Sequence, residues 1–195
     1  MFIVFEGLDG SGQSTQAKLL KDYLEKERNL SVVLTKEPTD KPPIGDLIRQ
    51  ILRKEISVSP AALQLLFCAD RSEHLEQVIK PALKKNQWVI SDRYFYSTVV
   101  YGSLNLDVEW LIKLNEQFLI PDVVFLLKVR PEICLQRIDE NRDKREFFEE
   151  SDKLKRVWQT YEILSQRFSN IKVIDAEKSI EEVFEEVKRI LKFEN

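Results

Sequence analysis

Cysteine, histidine, glycine and long apolar runs are all scarce in this chain, and each shortage excludes something. The two cysteines, Cys68 and Cys134, fall in apparently helical segments far apart in sequence. They lack metal-ligand spacing and secretory context, which argues against a disulfide scaffold or a thiolate metal site and leaves them as reduced core residues. The single histidine, His74, reads as packing or hydrogen-bonded support rather than as a catalyst. No apolar run is long enough to span a bilayer, and the chain opens directly on a core strand instead of a basic-plus-apolar leader. The expectation is a cytoplasmic protein with no membrane partner. Charge of one sign is missing too: 30 Lys and Arg face 33 Asp and Glu, interspersed, for a net −3. That balance argues against an extended basic surface for nucleic acid and favours a phosphorylated small molecule as ligand. No Pro-, Gly- or Ser-rich linker, repeat or low-complexity tract divides the 195 residues, so one domain, 1–195, is expected. Five glycines in a chain that is 32% charged hint at a heat-adapted source.

Three of those five glycines fall within six residues. The apolar run Phe2-Ile3-Val4-Phe5 leads into Gly7-Leu8-Asp9-Gly10-Ser11-Gly12-Gln13-Ser14-Thr15, and an amphipathic pattern starts at Thr15. Strand, glycine-rich turn and helix N-terminus in that order form a phosphate-binding loop, whose successive N–H groups converge on one spot and add to the helix dipole. The pattern Gly-x-x-x-x-Gly-Lys-[Ser/Thr] is met except that Gln13 stands where the lysine belongs. A neutral amide replaces a full charge beside the β- and γ-phosphates, a loss of about 2.7–4 kcal/mol of transition-state stabilisation by comparison with other charge-directed donors. The backbone cradle and the Ser14 hydroxyl, a ligand for Mg2+, survive the change.

Along the chain, a helix over about 14–28 precedes a strand at 30–35, and Lys36 to Pro43 form a stiff proline-rich loop at the strand's carboxyl end. A helix spans about 44–54, and Ser59-Pro60 reads as N-cap and first helical residue of a long helix running to about Lys84. Trp88 to Asp92 is a third strand, and helical spacing begins at Leu106-Asp107 and continues until Pro121. Val123 to Leu127 is apolar throughout, hence a strand buried on both faces. Pro131 opens another helix, a lid segment is placed at about 137–150, and helix 151–168, strand 171–174 and a helix from Ser179 close the chain. Five strands alternating with helices predict an α/β three-layer sandwich with a five-stranded parallel sheet.

Three further constellations could carry chemistry. Asp92-Arg93 ends a buried strand, so the carboxylate could lie near a magnesium ion and the guanidinium could fork onto a phosphate; the alternative is a strand-end ion pair. Phe67 and Arg71 share a helix face, where a ring beside a planar donor can grip a base, or where a core phenylalanine can simply neighbour a snorkelling arginine. Arg137, Arg142, Lys144 and Arg145 could close over a transferring phosphoryl group, though acidic neighbours equally suit a solvated surface. On this reading an arginine of that run substitutes for the missing lysine, and Gln13→Lys is expected to raise turnover at least about tenfold. No Asn-Lys-x-Asp sequence is present to read guanine, which disfavours a GTPase.

Taken together, Glu6-Gly7-Leu8-Asp9-Gly10-Ser11-Gly12, Glu37-Pro38, Leu66-Phe67-Cys68-Ala69-Asp70-Arg71, Asp92-Arg93-Tyr94 with Ser97 and Tyr101, and Pro121-Asp122-Val123 resemble the thymidylate kinases, a P-loop nucleoside monophosphate kinase family. The resemblance implies transfer of the γ-phosphoryl of ATP to thymidine monophosphate, with Mg2+, in a homodimer. By position, Phe67 stacks on thymine and Arg71 bonds a base carbonyl. Ser97 and Thr98 meet the opposite base edge, and Tyr101 favours deoxyribose. Asp9 lies near the sugar 3′-hydroxyl or acceptor phosphate, Arg93 holds that phosphate, and Glu37 and Pro38 shape the pocket. ATP lies across Gly7 to Thr15, Ser14 ligates magnesium, Asp92 orients it through water, and Arg142 and Arg145 close the lid. The sequence departs from the family at Thr39, where many members have glycine, and at Gly102, where several carry glutamine. Because of Gln13, the alternatives are a weak or inactive nucleotide-binding paralogue, or a kinase of another nucleotide.

Overall fold

The computed structural model describes residues 1–140 and 151–192. Its centre is a five-stranded, fully parallel sheet in the order β2-β3-β1-β4-β5. The strands are β1 (Phe2–Gly7), β2 (Val32–Lys36), β3 (Trp88–Asp92), β4 (Val123–Lys128) and β5 (Ile171–Asp175). All six residues of β1 are buried, as a central strand covered on both faces requires. Phe5 is in register with Phe125 of β4, and their rings lie 5.1 Å apart. The Asp122 carboxylate accepts from the Phe2 amide at 2.6 Å, so the Pro-Asp pair ahead of β4 closes the open end of β1.

The helices are α1 (Gln13–Lys26), α2 (Ile44–Leu52), α3 (Pro60–His74), α4 (Lys80–Lys84), α5 (Phe95–Gly102), α6 (Val108–Asn115), α7 (Pro131–Asp139), α8 (Ser151–Arg167) and α9 (Ile180–Ile190). α1 packs against α9, and α5 packs against α8. Ser59 caps α3 by accepting from the Ala62 amide at 3.2 Å, with Pro60 in the first turn. Ser179 and Glu182 form a reciprocal capping box on α9. The long helix expected to run to Lys84 does continue, but through a wider π turn at Leu75–Ile79. That turn precedes Pro81, which has no N–H to return and crowds the turn before it.

Two helices differ from expectation. Periodicity carries α6 to Pro121, whereas it stops at Asn115, and Phe118 turns back to lie 5.3 Å from the Arg71 guanidinium. α5 has no counterpart in the sequence reading. Its residues, Phe95-Tyr96-Ser97-Thr98-Val99-Val100-Tyr101, are aromatic and β-branched and favour a strand. Glu6, 88 residues earlier than Tyr94, makes the helix possible: its Oε1 accepts from the Tyr94 and Ser97 amides at 2.9 and 3.2 Å, replacing the missing N-cap. None of the described helices is long and apolar enough to cross a membrane.

Candidate active site

The carboxyl ends of β1, β2 and β3 open into a cleft of about 750 Å³. Its floor is the turn between β1 and α1. Gly10 and Gly12 have φ of +84° and +99°, a region L side chains rarely enter, and a Cβ on Gly10 would stand 2.6 Å from the Cys134 carbonyl of α7. The chain needs glycine there to curl so tightly and lie so close to α7. Asp9 to Thr15 line the cleft. Gly7 and Leu8 instead lie beneath it: the Gly7 carbonyl accepts bonds from other site residues, and the Leu8 side chain is buried in the core.

At the tip of β3, Asp92 accepts a hydrogen bond from the Ser14 hydroxyl. A hydroxyl and a carboxylate at one point form the hard-oxygen set that Mg2+ prefers, since that ion keeps most of its waters and takes few protein ligands. Arg93 follows with φ of +71°, a strained conformation for a non-glycine residue, held because its amide donates to Phe5 and its carbonyl accepts from Ser91. Nη1 donates to the Gly7 carbonyl at 3.1 Å and to the Ser97 hydroxyl at 2.8 Å, while Nη2 donates to Asp9 at 2.6 Å and to Gln13 Oε1 at 3.2 Å. Burial is the largest influence and opposes the Arg93 charge, but Asp9 together with Tyr101, Tyr161 and Glu6 around it outweighs burial and raises its pKa.

Beneath Arg93, Glu6 is fully buried and also accepts from the hydroxyls of Ser97 and Tyr161 at 2.6 and 2.7 Å. Burial raises its carboxyl pKa, with Arg93 and these hydrogen bonds pulling the other way. Burial also pushes up the phenols of Tyr161 and Tyr101, each facing a carboxylate, Glu6 and Asp9 respectively. The Ser97 hydroxyl is thus engaged by Glu6 and Arg93.

The other lobe is built on Arg71, which is 1% exposed. Its Nε and Nη2 both lie 2.8 Å from Glu37 Oε2, Nη2 also donates to Thr98 at 2.8 Å, and Nη1 donates to Asn115 at 2.7 Å. Of the five N–H groups an arginine carries, one on Nη1 is left over among the described residues. Glu37 Oε1 meets His74 Nδ1 at 3.0 Å, and His74 Nε2 meets Thr35 at 2.6 Å, so the only histidine serves as support for this carboxylate. Phe67, Pro38, Thr98 and Tyr101 line the same lobe. Thr39 bonds Asp70 through its amide and its hydroxyl, at 2.7 and 2.5 Å, tying the loop after β2 to α3. Of these two bonds, the one from the hydroxyl is one that a glycine at this position could not make.

The structure therefore brings Asp9, Gly10, Ser11, Gly12, Gln13, Ser14, Thr15, Glu37, Pro38, Phe67, Arg71, Asp92, Arg93, Ser97, Thr98 and Tyr101 to one cleft. Arg142, Arg145 and most of the 137–150 segment lie outside the described residues. Arg137 is described, donating to the Gly10 and Ala176 carbonyls at 3.4 and 3.2 Å. Sequence reasoning missed Lys36, Arg49 and Lys178, which also line the cleft, and the supporting Asn115 and Tyr161. Glu6 did carry a signal, an acid at the end of an apolar strand.

A glycine-rich phosphate loop leaving the middle strand of a parallel sheet, with a second lobe of the same cleft beside it, defines a P-loop nucleoside monophosphate kinase. The comparisons name the branch. The family model for thymidylate kinase matches residues 5–187. A probable thymidylate kinase of Thermococcus kodakarensis is 44% identical over 196 residues, covering 96% of this chain and 95% of its own length. The thymidylate kinase of Plasmodium falciparum is 40% identical, covering 95% and 87%. The thymidylate kinase structure from Candida albicans superposes with a TM-score of 0.83 at 28% identity, covering 98% of this chain and 91% of that one. The chain belongs to the thymidylate kinase family.

Proposed function

We propose that this protein transfers the γ-phosphoryl group of ATP to thymidine monophosphate, giving the diphosphate. The observation that supports this most is that Arg93 and Asp9 join the two lobes, linking the phosphate loop to the lobe around Arg71. Thymidine monophosphate would lie with its base between Phe67 and Arg71 and its phosphate towards Arg93. Arg71 has only donors to offer, so its remaining N–H suits a base carbonyl, and cytosine's amino group there would leave two donors facing each other. Thr98, whose oxygen already accepts from Arg71, keeps its own hydrogen to donate to the base. ATP would lie over Gly10 to Thr15, with its base towards Lys178 and Ile180 at the far end of the cleft. Ser14 and Asp92 would hold Mg2+, which when bound neutralises charge on the β- and γ-phosphates. What the chain contributes is positioning and fixed positive charge, the main demands of phosphoryl transfer.

The binding-only alternative is not favoured, because the family members named above are kinases. Two unpaired, buried cysteines support a reducing, cytoplasmic setting. A homodimer is proposed from the resemblance, and light scattering tests it. The decisive experiment follows diphosphate formation from ATP and Mg2+ with thymidylate, deoxyuridylate, uridylate and deoxycytidylate. Thymidylate is expected to lead and deoxycytidylate to trail. No diphosphate from any acceptor would refute the proposal.

A further inference from the structure

We infer that Ser97 is a positioning residue for Arg93 rather than a contact to the base, and that the first turns of α5 set the spacing between the arginine that meets the base and the one that holds the phosphate. This rests on the phosphoryl-transfer reading above.

Ser97 and Thr98 are neighbours on α5. Successive residues of a helix point about 100° apart, so two adjacent side chains face different directions. Here each meets a different guanidinium: Ser97 Oγ accepts from Arg93 Nη1 at 2.8 Å, and Thr98 Oγ1 accepts from Arg71 Nη2 at 2.8 Å. The Ser97 hydroxyl carries a single hydrogen and gives it to Glu6 Oε2, 2.6 Å away, which turns its lone pairs towards Arg93. No hydrogen is left to donate to a thymine carbonyl. The other oxygen of the same carboxylate accepts from the Tyr94 and Ser97 amides at 2.9 and 3.2 Å, so Glu6 orients the hydroxyl and fixes the backbone that carries it. Glu6 is fully buried, and the Tyr161 hydroxyl, donating to Oε2 at 2.7 Å, completes its set of partners. The resemblance places Ser97 beside Thr98 at the base edge, whereas the hydrogen bonds divide them. Thr98 belongs with Arg71 and the base, and Ser97 with Arg93 and the acceptor phosphate. Because both hydroxyls stand on consecutive residues of one short helix, the two arginines are held at one separation, which suits a base and a phosphate joined by one sugar.

The test compares thymidylate with thymidine, which has the same base and sugar but no phosphate. Both are titrated at equilibrium against wild type, Ser97→Ala, Arg93→Ala, the double variant and Thr98→Val. Ser97→Ala is expected to raise the dissociation constant for thymidylate at least about fivefold, as loss of a hydrogen bond to a charged group does, while thymidine stays within about twofold of wild type. With Arg93 already alanine, Ser97→Ala should change neither constant by more than about twofold, because the side chain it acts through is gone. Thr98→Val, a loss from the base lobe, should weaken both ligands by the same factor. A merely structural serine would weaken thymidine and thymidylate together, with or without Arg93. Ser97→Cys fills the same space with a weak acceptor and should shift thymidylate in the same direction, which keeps the test decisive if the alanine variant does not fold. Equal losses for the two ligands, no loss for thymidylate, or a Ser97 effect that persists without Arg93 overturns the inference and leaves the kinase reading standing. Wild-type protein that shows this binding pattern yet forms no diphosphate overturns the kinase reading alone, and wild-type protein that binds neither ligand overturns both.

Discussion

Glu37→Gln isolates the charge that holds Arg71 in place. Glu37 and Arg71 side chains are 5% and 2% exposed, and both Arg71 Nε and Nη2 lie 2.8 Å from the same carboxylate oxygen. Glutamine has the same shape. Its carbonyl oxygen can take the place of Oε2, while its amino group faces His74 Nδ1, which becomes an acceptor if the ring carries its proton on Nε2 towards Thr35. The hydrogen bonds can therefore persist while the negative charge is gone. Removing one partner of a buried ion pair costs about 3–5 kcal/mol, and the preserved geometry puts this variant near the lower end, about 3 kcal/mol. In a domain of this size about 1 kcal/mol moves the melting temperature by about 2–4 °C, so a fall of about 6–12 °C is expected by calorimetry. Urea unfolding should show a lower midpoint with an unchanged slope, the sign that stability rather than compactness has changed. Adding Arg71→Met should restore part of the loss, since an apolar side chain leaves no charge to compensate. A shift below about 2 °C for Glu37→Gln would refute the reasoning, because Arg71 would then be held without its counter-charge.

Two other perturbations follow from the geometry. Burial raises the Glu6 carboxyl above its ordinary 4.5, so between 4.5 and its folded value the native state holds a proton that the unfolded state has released. Stability should therefore fall as pH rises through that window, and the melting temperature of wild type minus that of Glu6→Gln should drop over the same range; a flat difference would show that Glu6 is not raised. Gly10→Ala places a methyl 2.6 Å from the Cys134 carbonyl at a φ of +84°, and calorimetric titration is expected to show ATP binding weakened at least about tenfold while thymidylate binding persists.

Much of the site was legible because its parts are local. The phosphate loop needs only glycines at set intervals between a strand and a helix, and Asp92-Arg93 needs only the end of a buried strand. Other features depend on contacts between distant segments. Phe67 and Arg71 could be placed on one helix face, but not that Arg71 is clamped by Glu37, Thr98 and Asn115 from three other segments. Helix α5 was invisible because its own residues favour a strand and its cap, Glu6, lies in β1.

By itself the sequence determined the alternation of strands and helices, the parallel sheet and the loop that takes phosphate, since hydrophobic period and glycine spacing act over a few residues. Only the tertiary structure decided what the amide at position 13 does. Alone it reads as a charge lost, whereas in the fold its oxygen accepts from Arg93, 80 residues away, and its amino group donates to Gly7. That difference is physical: a hydrogen bond depends on what lies within about 3 Å, and for buried polar groups the chain fold, not the neighbouring residues, supplies the partner.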